Sequence, residues 1–146
     1  MGFSKPDELE ELDFGIVREP WNKYKLEDGS LLRLKNPAVK TFKSSKLDQF
    51  GLPIYGMGGT TLVAATVPKE LLGTPSEDDR VNPADIVGEL KFVMICEDWC
   101  EYKLSDGTIL RSKTVVTKIY KTKKFNKYGE PIYWCSWQVL SDKGKT

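Results

Sequence analysis

Residues 3–62 and 81–140 align without a gap, and 22 of the 60 aligned pairs are identical. No other feature limits the architecture so strongly, because so long an ungapped match implies one structural unit written twice. The identities include Glu11/Glu89, Phe14/Phe92, Glu19/Glu97, Trp21/Trp99, Tyr24/Tyr102, Asp28/Asp106, Gly29/Gly107, Arg33/Arg111 and Tyr55/Tyr133. A unit this short buries too little surface to be robust alone, so the two copies are expected to share one core.

Each copy reads as α-β-β-β. "SKPDELEEL" and "NPADIVGEL" open the copies as short helices, with Ser4 and Asn82 as N-caps and Pro6 and Pro83 in the first turn. A first strand then runs through "FGIVREPWNKYKL" and "FVMICEDWCEYKL", with Pro20 marking an edge or a bulge. After an Asp-Gly turn comes a long second strand, "LLRLKNPAVKTFK" and "ILRSKTVVTKIYK". "DQFG" and "NKYG" match type I turns, with Asp or Asn first and Gly fourth. "PIYGMGGTTLVAATV" and "PIYWCSWQVL" supply the third strand. The expected fold class is mostly β with α+β character: a tandem duplication of an α-β-β-β unit forming a pseudo-twofold six-stranded β-barrel or two-sheet sandwich with two short helices. Repeat one spans 3–66, an acidic connector 67–80, repeat two 81–140 and a polar tail 141–146, within a single domain; two separate beads are the runner-up.

The hairpin "YKLEDGSLLRLK" and its counterpart "YKLSDGTILRSK" decide which side chains face inward. A two-residue turn would mix charged and apolar groups on both faces. A three-residue loop, Glu27-Asp28-Gly29 with Gly29 left-handed, shifts the pairing by one. Tyr24 then opposes Leu32, Lys25 opposes Leu31 and Lys23 opposes Arg33; in copy two Tyr102 opposes Leu110 and Glu101 opposes Arg111. That register puts Tyr24, Leu26, Leu32, Tyr102, Leu104 and Leu110 inside.

It also leaves Lys25, Arg33, Lys35, Lys103, Arg111 and Lys113 outside, with Trp21 and Trp99 on the same side. Cations beside indoles are the material of a single-stranded nucleic-acid platform, and these eight residues are the candidate binding set. The alternative is a solvated face whose lysines discourage edge pairing, with both Trp residues packed between the copies. Net charge is +1, yet residues 1–89 carry 11 basic and 15 acidic side chains (−4), and residues 90–146 carry 11 and 6 (+5). The asymmetry permits an anionic partner without requiring one.

Histidine is absent, which removes Ser-His and Cys-His nucleophile pairs and His-containing zinc sites from consideration within one chain. Cys96 and Cys100 would share one face of a strand with Cys135 on a neighbour, but no fourth metal ligand accompanies them and copy one has Arg18, Asn22 and Met57 instead. Free thiols packed as small hydrophobes are the expectation, with no metal and no cofactor. "GMGG" (56–59) lacks the Lys-Ser/Thr of a phosphate loop and lies inside a strand. Its counterpart "WCSW" (134–137) implies complementary packing, or a groove floored by Gly and walled by Trp. The duplicated acids bring no evident nucleophile with them, so the reading leans away from an enzyme. Phe50 to Pro68 is an uncharged run of 19 residues, but its glycines and prolines make it turn plus strand rather than a membrane span. No signal peptide opens the chain, and Pro6 spoils a myristoylation site, so a cytoplasmic protein is expected.

The pattern Tyr-Lys-Leu-x-Asp-Gly-Ser/Thr-x-Leu-Arg-x-Lys, followed by Gly-x-Pro-Ile-Tyr, resembles small uncharacterised archaeal proteins over each half of the chain. These are turn and strand residues, so the resemblance implies a fold and an intracellular prokaryotic protein, and no activity travels with it. The functional expectation is a noncatalytic binding module, for nucleic acid through the basic strand faces. The alternative is an interaction or assembly protein, with a homo-oligomer among its forms, pairing by strand edges or by the Trp-rich third strand.

Overall fold

The computed structural model describes residues 8–145. Twelve strands occur: β1 (Leu9–Leu12), β2 (Phe14–Arg18), β3 (Asn22–Leu26), β4 (Leu31–Lys35), β5 (Ala38–Leu47), β6 (Pro53–Gly59), β7 (Leu62–Thr66), β8 (Ile86–Leu90), β9 (Phe92–Cys96), β10 (Cys100–Leu104), β11 (Thr108–Phe125) and β12 (Pro131–Lys145). They form three antiparallel sheets, ordered β1-β5-β6, β7-β4-β3-β9 and β12-β11-β10-β2, with β8 also on β11. Among the described residues no helix is long and apolar enough to cross a membrane.

The expected α+β barrel or two-sheet sandwich is therefore corrected. Among the described residues each sheet ends in strands paired on one side only, and no barrel closes. The two opening helices are strands instead: Leu9 pairs with Ser44 through Leu12 with Thr41, and Leu90 pairs with Ile119 in the second half. An open β5 or β11 edge leaves N–H and C=O groups to satisfy, and the short segments satisfy them. Ile86, Val87 and Gly88 are also poor helix formers. What survives of the second helix is one 3-10 turn, Pro83–Asp85, where Asn82 and Asp85 close a reciprocal capping box. Ser4 and Pro6 lie outside the described residues.

The expected first strand is also two strands in different sheets. Pro20, which has no N–H, interrupts "FGIVREPWNKYKL"; in the second half Glu97-Asp98-Trp99 makes the same break, with the Trp99 amide donating to Asp98 Oδ1 at 2.7 Å. The consequence is an exchange. β2 pairs with β10 of the second half, and β9 pairs with β3 of the first. Elsewhere the halves follow the same strand order, but Asn36-Pro37 splits β4 from β5 where β11 runs unbroken for 18 residues.

The hairpin register is as the sequence predicts: Tyr24 faces Leu32 and Lys23 faces Arg33, while Tyr102 faces Leu110 and Glu101 faces Arg111. Gly29 and Gly107 take φ of 93° and 90°, closing the three-residue loop. Inward residues Tyr24, Leu26, Leu32 and Leu34 pack on Val116, Ile119, Tyr133 and Cys135 of β11 and β12. Phe92 of the exchanged β9 stands edge-on to Tyr24 at 5.5 Å, and Phe14 of β2 stands edge-on to Tyr102 at 5.6 Å. Such pairs add ~0.5–1.5 kcal/mol beyond area burial.

Candidate functional site

Four carboxylates that the repeat duplicates each accept a tyrosine hydroxyl from the other copy. Tyr24 Oη donates to Glu97 Oε2 at 2.6 Å and Tyr102 Oη to Glu19 Oε2 at 2.9 Å. Tyr133 Oη donates to Asp28 Oδ2 and Tyr55 Oη to Asp106 Oδ2, both at 2.6 Å. The other oxygen of each turn aspartate takes the amide of Ser30 or Thr108 at 2.9 Å. Burial, reinforced for Tyr24 and Tyr133 by the partner carboxylate, raises the pKa of Tyr24, Tyr102 and Tyr133 well above the ordinary phenol value. These phenols stay neutral and donate; they have no base to offer a substrate. The duplicated acids hold the halves together.

The eight candidate binding residues divide between two sheets. Lys25, Arg33 and Lys35 stand on β3 and β4, with Trp21 beside them in the β2–β3 crossing. Lys103, Arg111 and Lys113 stand on β10 and β11, with Trp99 in the β9–β10 crossing. No single ladder joins the two groups. Each Trp is covered by cations of its own half: Arg33 and Lys35 lie 5.4 and 5.0 Å from the Trp21 ring, and Arg111 lies 4.7 Å from that of Trp99. Lys35 is also paired with Glu19 at 3.1 Å, and Arg111 with Glu101 at 3.2 Å and Asp142 at 3.4 Å. Lys25 donates to the Gly29 carbonyl at 3.0 Å. Two indole faces are thus occupied and two of the cations neutralised.

The cysteines are not on one strand face. Cys96 ends β9 and Cys100 begins β10, in different sheets, and Cys135 lies in the core, where burial pushes its thiol up to about 12. Among the described residues no three His, Cys, Asp or Glu side chains gather as a metal group.

Two features stand out beyond that set. The first is a cleft of about 670 Å³ between β6 and the end of β12. Gly56, Met57 and Gly58 line it on one side, Trp137 and Val139 on the other. The pair Lys143–Asp48 at 2.9 Å also lines it, and the hydrogen bond from Lys143 holds the Asp48 carboxyl below its usual range. The second is the pair of exchanged strands. β2 and β9 each end a sheet, and they expose Ile16, Val17, Val93, Met94 and Ile95, each more than half accessible. The signal for this in the sequence is "FVMIC", five residues without a charge, but the expectation of one continuous strand hid its position at an edge. No protein-family model, curated protein or solved structure matches the chain.

Proposed function

We propose that this protein is a noncatalytic assembly module that pairs with a second copy through the outer edge of β9. The observation that carries the reading is the apolar, uncharged edge itself: Val93 is 68% exposed, Met94 54% and Ile95 55%, on a strand with a partner on one side only. Soluble monomers blunt such edges with lysine, proline or a covering strand; β9 carries no lysine or proline, and among the described residues no strand pairs with its outer edge. Two β9 strands meeting antiparallel about a twofold would extend the β7-β4-β3-β9 sheet across both molecules, pair the open backbone N–H and C=O groups of that edge and set the apolar side chains of one β9 beside those of the other. The basic faces carry less, since their cations are split between two sheets and Lys35 and Arg111 are already held by carboxylates.

Sedimentation or light scattering over a concentration series tests this. The expected result is a reversible dimer that Val93→Lys or Ile95→Lys returns to monomer, with an unchanged β-sheet circular dichroism spectrum. A wild-type protein that stays strictly monomeric at high concentration overturns it.

A further inference from the structure

The cleft beside β6 has a smaller twin, a cavity of about 340 Å³ lined by Val81 and by Thr61, Val63, Tyr133, Trp134, Cys135 and Trp137. Moved by the repeat spacing, the last six become Val139, Ser141, Tyr55, Gly56, Met57 and Gly59, and all of these line the 670 Å³ cleft. The two cavities are therefore the same place in the two copies. Val81 completes the correspondence. Its counterpart is Phe3, the first pair of the repeat alignment, and Phe3 precedes the described residues.

Val81 reaches its cavity by a defined route. β8 pairs with one side of β11 and β12 with the other, so a residue ahead of β8 that lines a cavity walled by β12 has crossed β11. The crossing runs through the turn Pro83–Asp85, closed by the Asn82–Asp85 capping box and tied to β11 by the Lys123–Asp85 pair at 3.8 Å. The first half repeats the frame of this route. β1 and β6 flank β5 as β8 and β12 flank β11, and Leu9 meets Ser44, the counterpart of Thr122, which Ile86 meets. In the sequence, Ser4 stands at the place of Asn82, another good capping residue, and Asp7 at the place of Asp85. Phe3 lies five positions ahead of Glu8, as Val81 lies five ahead of Ile86, so the chain length available to each is the same.

From this correspondence we propose that the N-terminal segment of the same chain docks in the cleft between β6 and β12, with the Phe3 ring seated there as the counterpart of Val81. The sizes run in the same direction, since the larger cleft receives the larger side chain. The walls suit it as well: Trp137 and Val139, 37% and 49% exposed, present apolar surface that the ring would cover.

Nuclear magnetic resonance of the full chain tests this. Nuclear Overhauser contacts are expected from the Phe3 ring protons to the methyl groups of Met57 and Val139. Phe3→Ala should abolish them, shift the amides of Gly56, Met57, Gly58 and Val139, and lower the urea midpoint, while Phe3→Leu should restore most of that midpoint. The proposal is overturned if the Phe3 ring makes no contact with the cleft, or if Phe3→Ala leaves those amides and the midpoint unchanged. In a mixture of isotope-labelled and unlabelled protein, contacts found only between molecules would seat a second copy's segment in the cleft, and would equally overturn it.

Discussion

Asp106 shows how one residue type at one position performs two tasks. Its side chain closes the turn through the Thr108 amide and accepts the Tyr55 hydroxyl from the other half. Burial works to raise its pKa, yet the bonds from Tyr55 and Thr108, helped by Lys43, outweigh that and leave it lowered from 3.8. A carboxyl whose folded pKa is depressed stabilises the fold fully above its unfolded pKa and loses that contribution as pH falls through the folded value. The urea midpoint should therefore hold steady down to about pH 5 and fall below about pH 4, with a shallower acid limb in Asp106→Asn; equal limbs in the two proteins would contradict this assignment. The turn chemistry of Asp28 and Asp106 was legible in the sequence. Their tyrosine partners were not, because Tyr133 lies 105 positions from Asp28 and nothing local encodes that distance.

At the scale of elements, the turns explain why register was readable. Asp-Gly fits either a two-residue or a three-residue loop, and only the three-residue loop places Tyr and Leu together on one face. Gly107 isolates the backbone effect, since a Cβ there would meet no atom within 4 Å. Gly107→Ala should cost ~1–2 kcal/mol in denaturant unfolding, the price of a left-handed alanine. Gly29→Ala should cost more, because its Cβ would also press on Pro68 Cγ at 3.1 Å. A neutral Gly107→Ala would show that the loop has relaxed into another turn. The opening helices misled for the opposite reason. Capping residues such as Asn82 and Asp85 are local signals and they do form their turn, but whether a helix continues depends on what lies alongside. Here β11 offered a ladder, and a few residues of helix could not compete with it.

For the whole molecule, the exchange of β2 and β9 sets the behaviour. Each half holds a strand of the other by backbone hydrogen bonds, and the Tyr–carboxylate pairs clasp the same boundary. A protease site engineered into the exposed stretch Leu72–Pro75 should therefore give two fragments that co-elute under native conditions and part only in denaturant. Fragments that separate on cleavage alone would mean that the exchanged strands hold much less than their ladders imply. The exchange also leaves β2 and β9 as edges, and this places an uncharged strand where another chain can reach it.

By itself, the sequence determined what acts at short range: the repeat, the hairpins and their register, the inward Tyr and Leu residues, and the absence of histidine chemistry. Turn geometry and side-chain alternation are properties of neighbouring residues, so they can be read along the chain. Tertiary structure alone decided that the opening segments are strands, that β2 and β9 change partners, that the cations fall on two sheets, and that β6 and the end of β12 border a cleft. Those outcomes depend on which ladder is free and which volume is unfilled, and neither exists until the two halves have come together.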